Sequence, residues 1–165
     1  MKAPKGGSAV SDTVRHAVTD LLQQYVDALD DDNLEAWPEL FLEDGQYRVV
    51  SRENLTLGLP APLMYYYSRG MMNDRVKALR EALTYQPVYV RHILSPPRLG
   101  MSESGEVHAQ SSFSIYQTTE EGVTQLFTTG RYSDVVALTD SGARFRSRTV
   151  TMDTFGVLNL IAVPL

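Results

Sequence analysis

The chain has 165 residues, no cysteine, 15 basic against 20 acidic side chains and a formal net charge of −5. Without cysteine it forms no disulfide, carries no thiol nucleophile and ligates no iron–sulfur cluster, and its acidic balance argues against sequence-independent binding of nucleic acid, which needs a basic patch. At 43% hydrophobic and 21% charged residues it is long enough to bury a core unaided; no apolar run reaches membrane-spanning length.

Residues 1–10, rich in Gly, Ser and Pro, lack the apolar stretch of a secretory signal and are expected to form a flexible lead-in to one domain over 11–165. The missing cysteines fit a cytoplasmic setting. Ser11, Asp12 and Thr13 supply capping oxygens, and Val14, Ala17, Val18, Leu21, Leu22, Tyr25, Val26 and Leu29 follow at helical spacing, predicting a helix over 12–30. A short helix is expected over 34–41, a turn at "EDG" (43–45) and a strand over 46–51. Residues 52–67 hold two prolines and no clear period, which predicts a long irregular excursion. Ser68 then caps a second amphipathic helix, ended by "TYQP". Four strands follow over 88–95, 106–117, 124–138 and 143–153, joined mostly by turn-forming stretches such as "TTEEG" and "TDSG". Helices followed by an antiparallel meander make an α+β domain, whose twisted sheet would curl around the helices as a cone.

Three histidines, His16, His92 and His108, stand at no spacing that pairs them as metal ligands. Tyr25, Asp44 and His92 could meet in the mouth of a cone and polarise a small substrate. The competing account puts Tyr25 in the apolar stripe, Asp44 in a turn and His92 in the sheet interior. Arg144, Arg146 and Arg148 alternate along the last strand. With Arg131 next door they predict a cationic row on one sheet face, either solvated or answering an acidic partner. Tyr65, Tyr66 and Tyr67 suit either a protein–protein contact or a plug closing the cone.

Three segments carry a resemblance: "WPELFLEDGQYRVVSREN" (37–54), "MMNDRVKALREALTYQPVYVRHILS" (71–95) and the closing arginine strand with "TMDT" (151–154). From about Val14 to the terminal "IAVPL" the chain resembles the small, or β, subunit of aromatic-ring-hydroxylating dioxygenases. Within that family it is most similar to the branch serving aromatic acids, such as terephthalate dioxygenase and salicylate hydroxylase.

The resemblance implies a cone similar to nuclear transport factor 2 and ketosteroid isomerase. It also implies self-association as a trimer beneath three large subunits, an α3β3 assembly oxidising an aromatic acid with electrons from a reductase. The Rieske [2Fe–2S] cluster and the mononuclear non-haem iron belong to the large subunit. The small one is structural, with no catalytic residue, cofactor, nucleic-acid or membrane partner of its own. A Rieske cluster needs two cysteines and two histidines, which agrees with a chain that has none of the former. In the RHxxS-like strand, His92 is then a structural histidine with a ring nitrogen bonded to a carboxylate or carbonyl, and Arg91 meets an acid across an interface. Arg91, the arginine row and the tyrosines are the interface candidates. A stand-alone isomerase or dehydratase using Tyr25, Asp44 and His92 is the alternative, and a ligand-binding module with no partner is a third possibility.

Overall fold

In a computed structural model, residues 10–59, 62–82, 88–153 and 164–165 are described. The first helix, α1 (Asp12–Asp30), starts where expected because the Ser11 hydroxyl accepts from the Val14 N–H at 3.3 Å. Its apolar stripe is buried from Val18 through Leu21, Leu22, Tyr25 and Val26 to Leu29. Each such side chain taken out of water contributes about 1.5–3 kcal/mol. The expected short helix shrinks to one turn, α2 (Ala36–Glu39), and Phe41 already belongs to the strand β1 (Phe41–Ser51). Leu34, Trp37 and Phe41 nevertheless all point inward.

The predicted "EDG" turn is part of β1. The chain keeps its extended course, and the surplus residues bulge between the pairs Phe41–Phe145 and Gln46–Ser147. Gly45 makes the bulge possible: a Cβ there would sit 2.8 Å from the Leu42 carbonyl oxygen. Within the supposed irregular excursion lie two further elements, α3 (Arg52–Leu57) and β2 (Met64–Tyr66). Ser51 caps α3 through its hydroxyl, and Gly58 ends it at φ 66°.

Helix α4 (Arg69–Ala82) is capped by Ser68 as predicted. Then come β3 (Val88–Leu94), an unforeseen short β4 (Arg98–Met101), β5 (Val107–Thr119), β6 (Thr124–Thr139) and β7 (Gly142–Met152). The expected flexible lead-in, "TYQP" and most of the stretch after Asp153 lie outside the described residues.

The strands form one sheet in the order β2-β1-β7-β6-β5-β3, with β4 also on β5. Among the described residues only β1 and β7 run parallel. The sheet curls around α1, whose stripe packs with inward residues of β1, β5, β6 and β7 in one core cluster. This is the α+β cone expected of the sequence. At Gly130 the wall is so tight that a Cβ would meet the Thr151 carbonyl oxygen at 2.2 Å.

One bulge changes the meaning of the last strand. Val135 pairs with Ser147 but Val136 pairs with Phe145, so Arg146 is an extra residue on β7. The side-chain alternation therefore reverses at that point. Arg146 stays exposed, Arg144 is half-buried, and Arg148 is inside the cone at 1% exposure. The predicted cationic row of Arg144, Arg146 and Arg148 on one face does not form.

Candidate functional site

Inside the cone, β6 and β7 bring together two charged side chains. Asp134 shares its inward phase with Tyr132 and Val136, and Arg148 is the residue turned in by the bulge. Arg148 donates from Nε and Nη2 to the two carboxylate oxygens of Asp134, both at 2.8 Å, with both side chains fully buried. Its guanidinium lies over three rings, at 3.9 Å from the centre of Tyr25 and 4.2 Å from those of Tyr132 and Phe145. Burial pushes the Asp134 carboxyl up and Arg148 pulls it back. Desolvation would lower Arg148, but the Asp134 carboxylate outweighs it and holds the guanidinium above its usual range. A bidentate fork of this geometry is an ion pair.

Tyr25 from α1 and Tyr47 from β1 reach into the same interior. Both hydroxyls donate to the main-chain oxygen of Leu165, at 2.5 and 3.2 Å, and the Leu165 N–H donates to the Tyr47 hydroxyl at 2.8 Å. Burial raises Tyr25, Tyr47 and Tyr132, the last two well above the ordinary phenol value. All three are therefore protonated donors at neutral pH. Trp37, Phe41 and Tyr66 pack around Tyr47.

His92 is a second buried polar centre. Its Nδ1 lies 2.5 Å from Asp30 Oδ1, and its backbone N–H donates to the same carboxylate at 3.0 Å. Asp30 is the last residue of α1, so the pair pins the helix end to β3 and covers the free amide of an edge strand. His92 Nε2 is buried with no hydrogen-bond partner. Arg91, with 66% of its side chain exposed, also reaches Asp30 within the chain, at 3.5 Å.

Tyr25, Asp44 and His92 do not come together. Tyr25 is in the aromatic interior, His92 is bound to Asp30, and Asp44 stands on the surface 3.7 Å from Arg146 with 78% of its side chain exposed. The tyrosine run is split by strand alternation. Tyr65 and Tyr67 face out, Tyr65 donating to Gln46, while half-buried Tyr66 stacks on Tyr47. His16 and His108 are exposed and His92 is buried. Among the described residues, no group of three or more His, Asp and Glu side chains could hold a metal ion.

Asp134, Asp30 and Tyr47 were not singled out from the sequence, although a signal existed for two of them. Asp134 shares strand phase with Tyr132, and Asp30 lies one helical repeat beyond Val26.

Residues 24–158 match the family model described as ring hydroxylating beta subunit. The chain belongs to that family. It is 36% identical to the anthranilate 1,2-dioxygenase small subunit of Burkholderia cepacia, over 88% of this chain and 90% of that one. It is 33% identical to a β subunit of the terminal oxygenase component of terephthalate 1,2-dioxygenase from a Comamonas species, over 86% and 92%. Among solved structures, the β subunit assigned to an aromatic-ring-hydroxylating dioxygenase of Novosphingobium aromaticivorans superposes with a TM-score of 0.85. It is 38% identical, over 95% of this chain and all of that one. As a ring-hydroxylating β subunit the chain is part of a dioxygenase, not an isomerase standing alone. The donor set does not fit a Rieske cluster, because two of its four ligands are cysteines and the chain has none. No helix among the described residues is long and apolar enough to cross a membrane.

Proposed function

We propose that this chain, as one cone over residues 11–165, is the non-catalytic assembly subunit of an α3β3 oxygenase that hydroxylates an aromatic carboxylic acid. A trimer of these chains would carry three large subunits. Those would hold the Rieske cluster and the mononuclear iron and receive electrons from a reductase in the cytoplasm. The observation that carries this is a family match over most of the chain in a protein with no cysteine. An aromatic acid as substrate is supported by relatives named for anthranilate and terephthalate. Tyr65 and Tyr67, with Arg91, Arg144 and Arg146, are the side chains offered to neighbours. Arg148 is withdrawn from that set because it is inside the cone.

Co-purification tests the proposal. The tagged chain is isolated gently from its native host, and its visible spectrum and partner content are recorded. A brown eluate with an equal amount of a larger iron–sulfur chain, at the mass of a hexamer, is the expected result. A colourless protein without a partner would overturn it.

A further inference from the structure

The outer face of the sheet is sorted by charge. Arg48, Thr149, Ser133, Gln110 and Arg98 are register partners in turn across β1, β7, β6, β5 and β4. Their chain neighbours Tyr47, Val150, Tyr132 and Ala109 point inward, so this row lies on the outside of the cone. Arg131 stands two residues from Ser133 on β6, between Ser112 and Thr151, and Arg91 pairs with Tyr116, itself paired with Leu126. Among the described residues these rows hold no Asp or Glu, in a chain whose formal net charge is −5. Arg91 is tied to Asp30, but Arg48, Arg98 and Arg131 are exposed and pair with no carboxylate among the described residues. Ile93, Tyr116 and Leu126, 55%, 38% and 48% exposed, give the same face an apolar border.

The opposite charge is gathered on α1. Asp12, His16, Asp20, Gln23, Asp27 and Asp31 follow one another at helical spacing along the helix and its C-cap, all exposed, with no Lys or Arg among them. From Asp20 to Asp31 the stripe runs about 16 Å. The row from Arg48 to Arg98 crosses four strand spacings, about 19 Å. The other side of α1 is packed against the inner face of the sheet, so the helix stands between the stripe and the arginines, and the two meet only between copies. Face on face would set arginine against arginine, and stripe on stripe aspartate against aspartate, which like-charge repulsion opposes. Stripe on face is a head-to-tail contact, which forms a ring when its rotation closes.

We infer that the outer sheet face around Arg131 takes the acidic α1 stripe of a second copy of this chain. This contact rests on the trimer proposed above and gives it its two faces.

Sedimentation of the full chain, alone and with its large subunit, tests the contact. Arg131→Glu, and separately Asp20→Arg with Asp27→Arg, should each raise the concentration needed for self-association at least about tenfold. All three positions are exposed, so the melting temperatures should stay near that of the wild type. The triple variant exchanges the charges across the contact and should recover most of the loss. If Arg131→Glu melts early, Arg98→Glu replaces it on the same face. Folded variants that associate like the wild type would overturn the inference, as would a triple variant no better than its parents. Loss of the large subunit while the trimer persists would also overturn it, because the face would then belong to that partner. A wild-type chain that stays single even with its large subunit present would sink the trimer itself, and its two faces with it.

Discussion

Asp30 and His92 meet at 2.5 Å across 62 residues of chain, and the same carboxylate takes the backbone N–H of His92. One acidic side chain thus closes the end of α1, orients a buried imidazole and hides the open amide of an edge strand. Replacing Asp30 by Ala leaves an amide and a ring N–H buried without an acceptor. The expected loss is about 2–6 kcal/mol, since each of the two groups costs about 1–3 kcal/mol. Thermal denaturation of the variant measures it directly. His92→Gln, which keeps a donor, should lose less and should leave turnover intact once supplied with saturating large subunit. Turnover abolished in an intact oligomer would show that His92 does more than hold the fold.

The Arg148–Asp134 pair invites a different experiment. Either partner removed alone strands a charge in an aromatic interior, so Arg148→Met and Asp134→Leu should each destabilise by about 3–5 kcal/mol. The double variant replaces both charges by apolar groups and should recover most of that loss. A double variant as unstable as the sum of its parts would mean that the pair, and not only its neutrality, is required. Chemical denaturation of the four proteins gives the coupling energy.

Much of this architecture is legible in the sequence, and the exceptions share a cause. The stripe from Val14 to Leu29 and the alternation of β5 are local patterns, and they are where the periodicity places them. The face of Arg148 is not local. It depends on a bulge at Arg146 that is set by pairing with β6, and one extra residue reverses every side chain beyond it. For the same reason "EDG" has the composition of a turn but lies in a strand, because its surplus residues bulge against β7. Leu165 between Tyr25 and Tyr47 joins residues 140 and 118 positions apart, and no window along the chain contains both ends.

Two glycines should respond in opposite directions. At Gly130 an added methyl would meet the Thr151 carbonyl oxygen and the Phe113 ring, so β7 or the core must shift. Gly130→Ala should cost about 2–3 kcal/mol, as overpacking does. Gly70, in α4, has only the Ser68 hydroxyl within 4 Å of a built Cβ, at 3.7 Å. Gly70→Ala should therefore stabilise the helix, by at most about 1 kcal/mol. Melting temperatures of the two variants decide both claims, and a stabilising Gly130→Ala would contradict the close approach of β6 and β7.

Arg80 ties α4 to the junction of α1 and α2, donating to both oxygens of Glu35 at 2.8 and 3.0 Å and to Asp32. Hydrogen bonds from Arg80, helped by a backbone one, hold the Glu35 carboxyl at about 2, below its ordinary 4.5. A depressed carboxyl stabilises the folded chain fully above its unfolded value and loses that contribution as pH falls through the folded one. The contribution is therefore complete above about pH 4.5 and fades toward pH 2. Glu35 is solvent-exposed, so the effect is small and weakened by salt. Melting curves of the wild type and Arg80→Ala should converge as pH is lowered through this window. A constant gap would remove Glu35 from the tie.

The three consecutive tyrosines separate folding from assembly by one-residue steps. Tyr66 stacks on Tyr47 in the core, so Tyr66→Ser should lower the melting temperature of the chain alone. Tyr65 and Tyr67 are 44% and 61% exposed and touch each other edge-on, and a free chain gains little from either. If they meet a neighbour in the oxygenase, the double variant Tyr65→Ser, Tyr67→Ser should melt like the wild type yet co-purify with much less large subunit. Buried interface tyrosines commonly account for 2 kcal/mol or more, about thirtyfold in affinity. Should the double variant capture its partner undiminished, the contact surface lies elsewhere, and Arg91, Arg144 and Arg146 become the next side chains to change. Should it melt early instead, the two rings support β2 against β1, and their exposure reflects the edge of the sheet and not an interface.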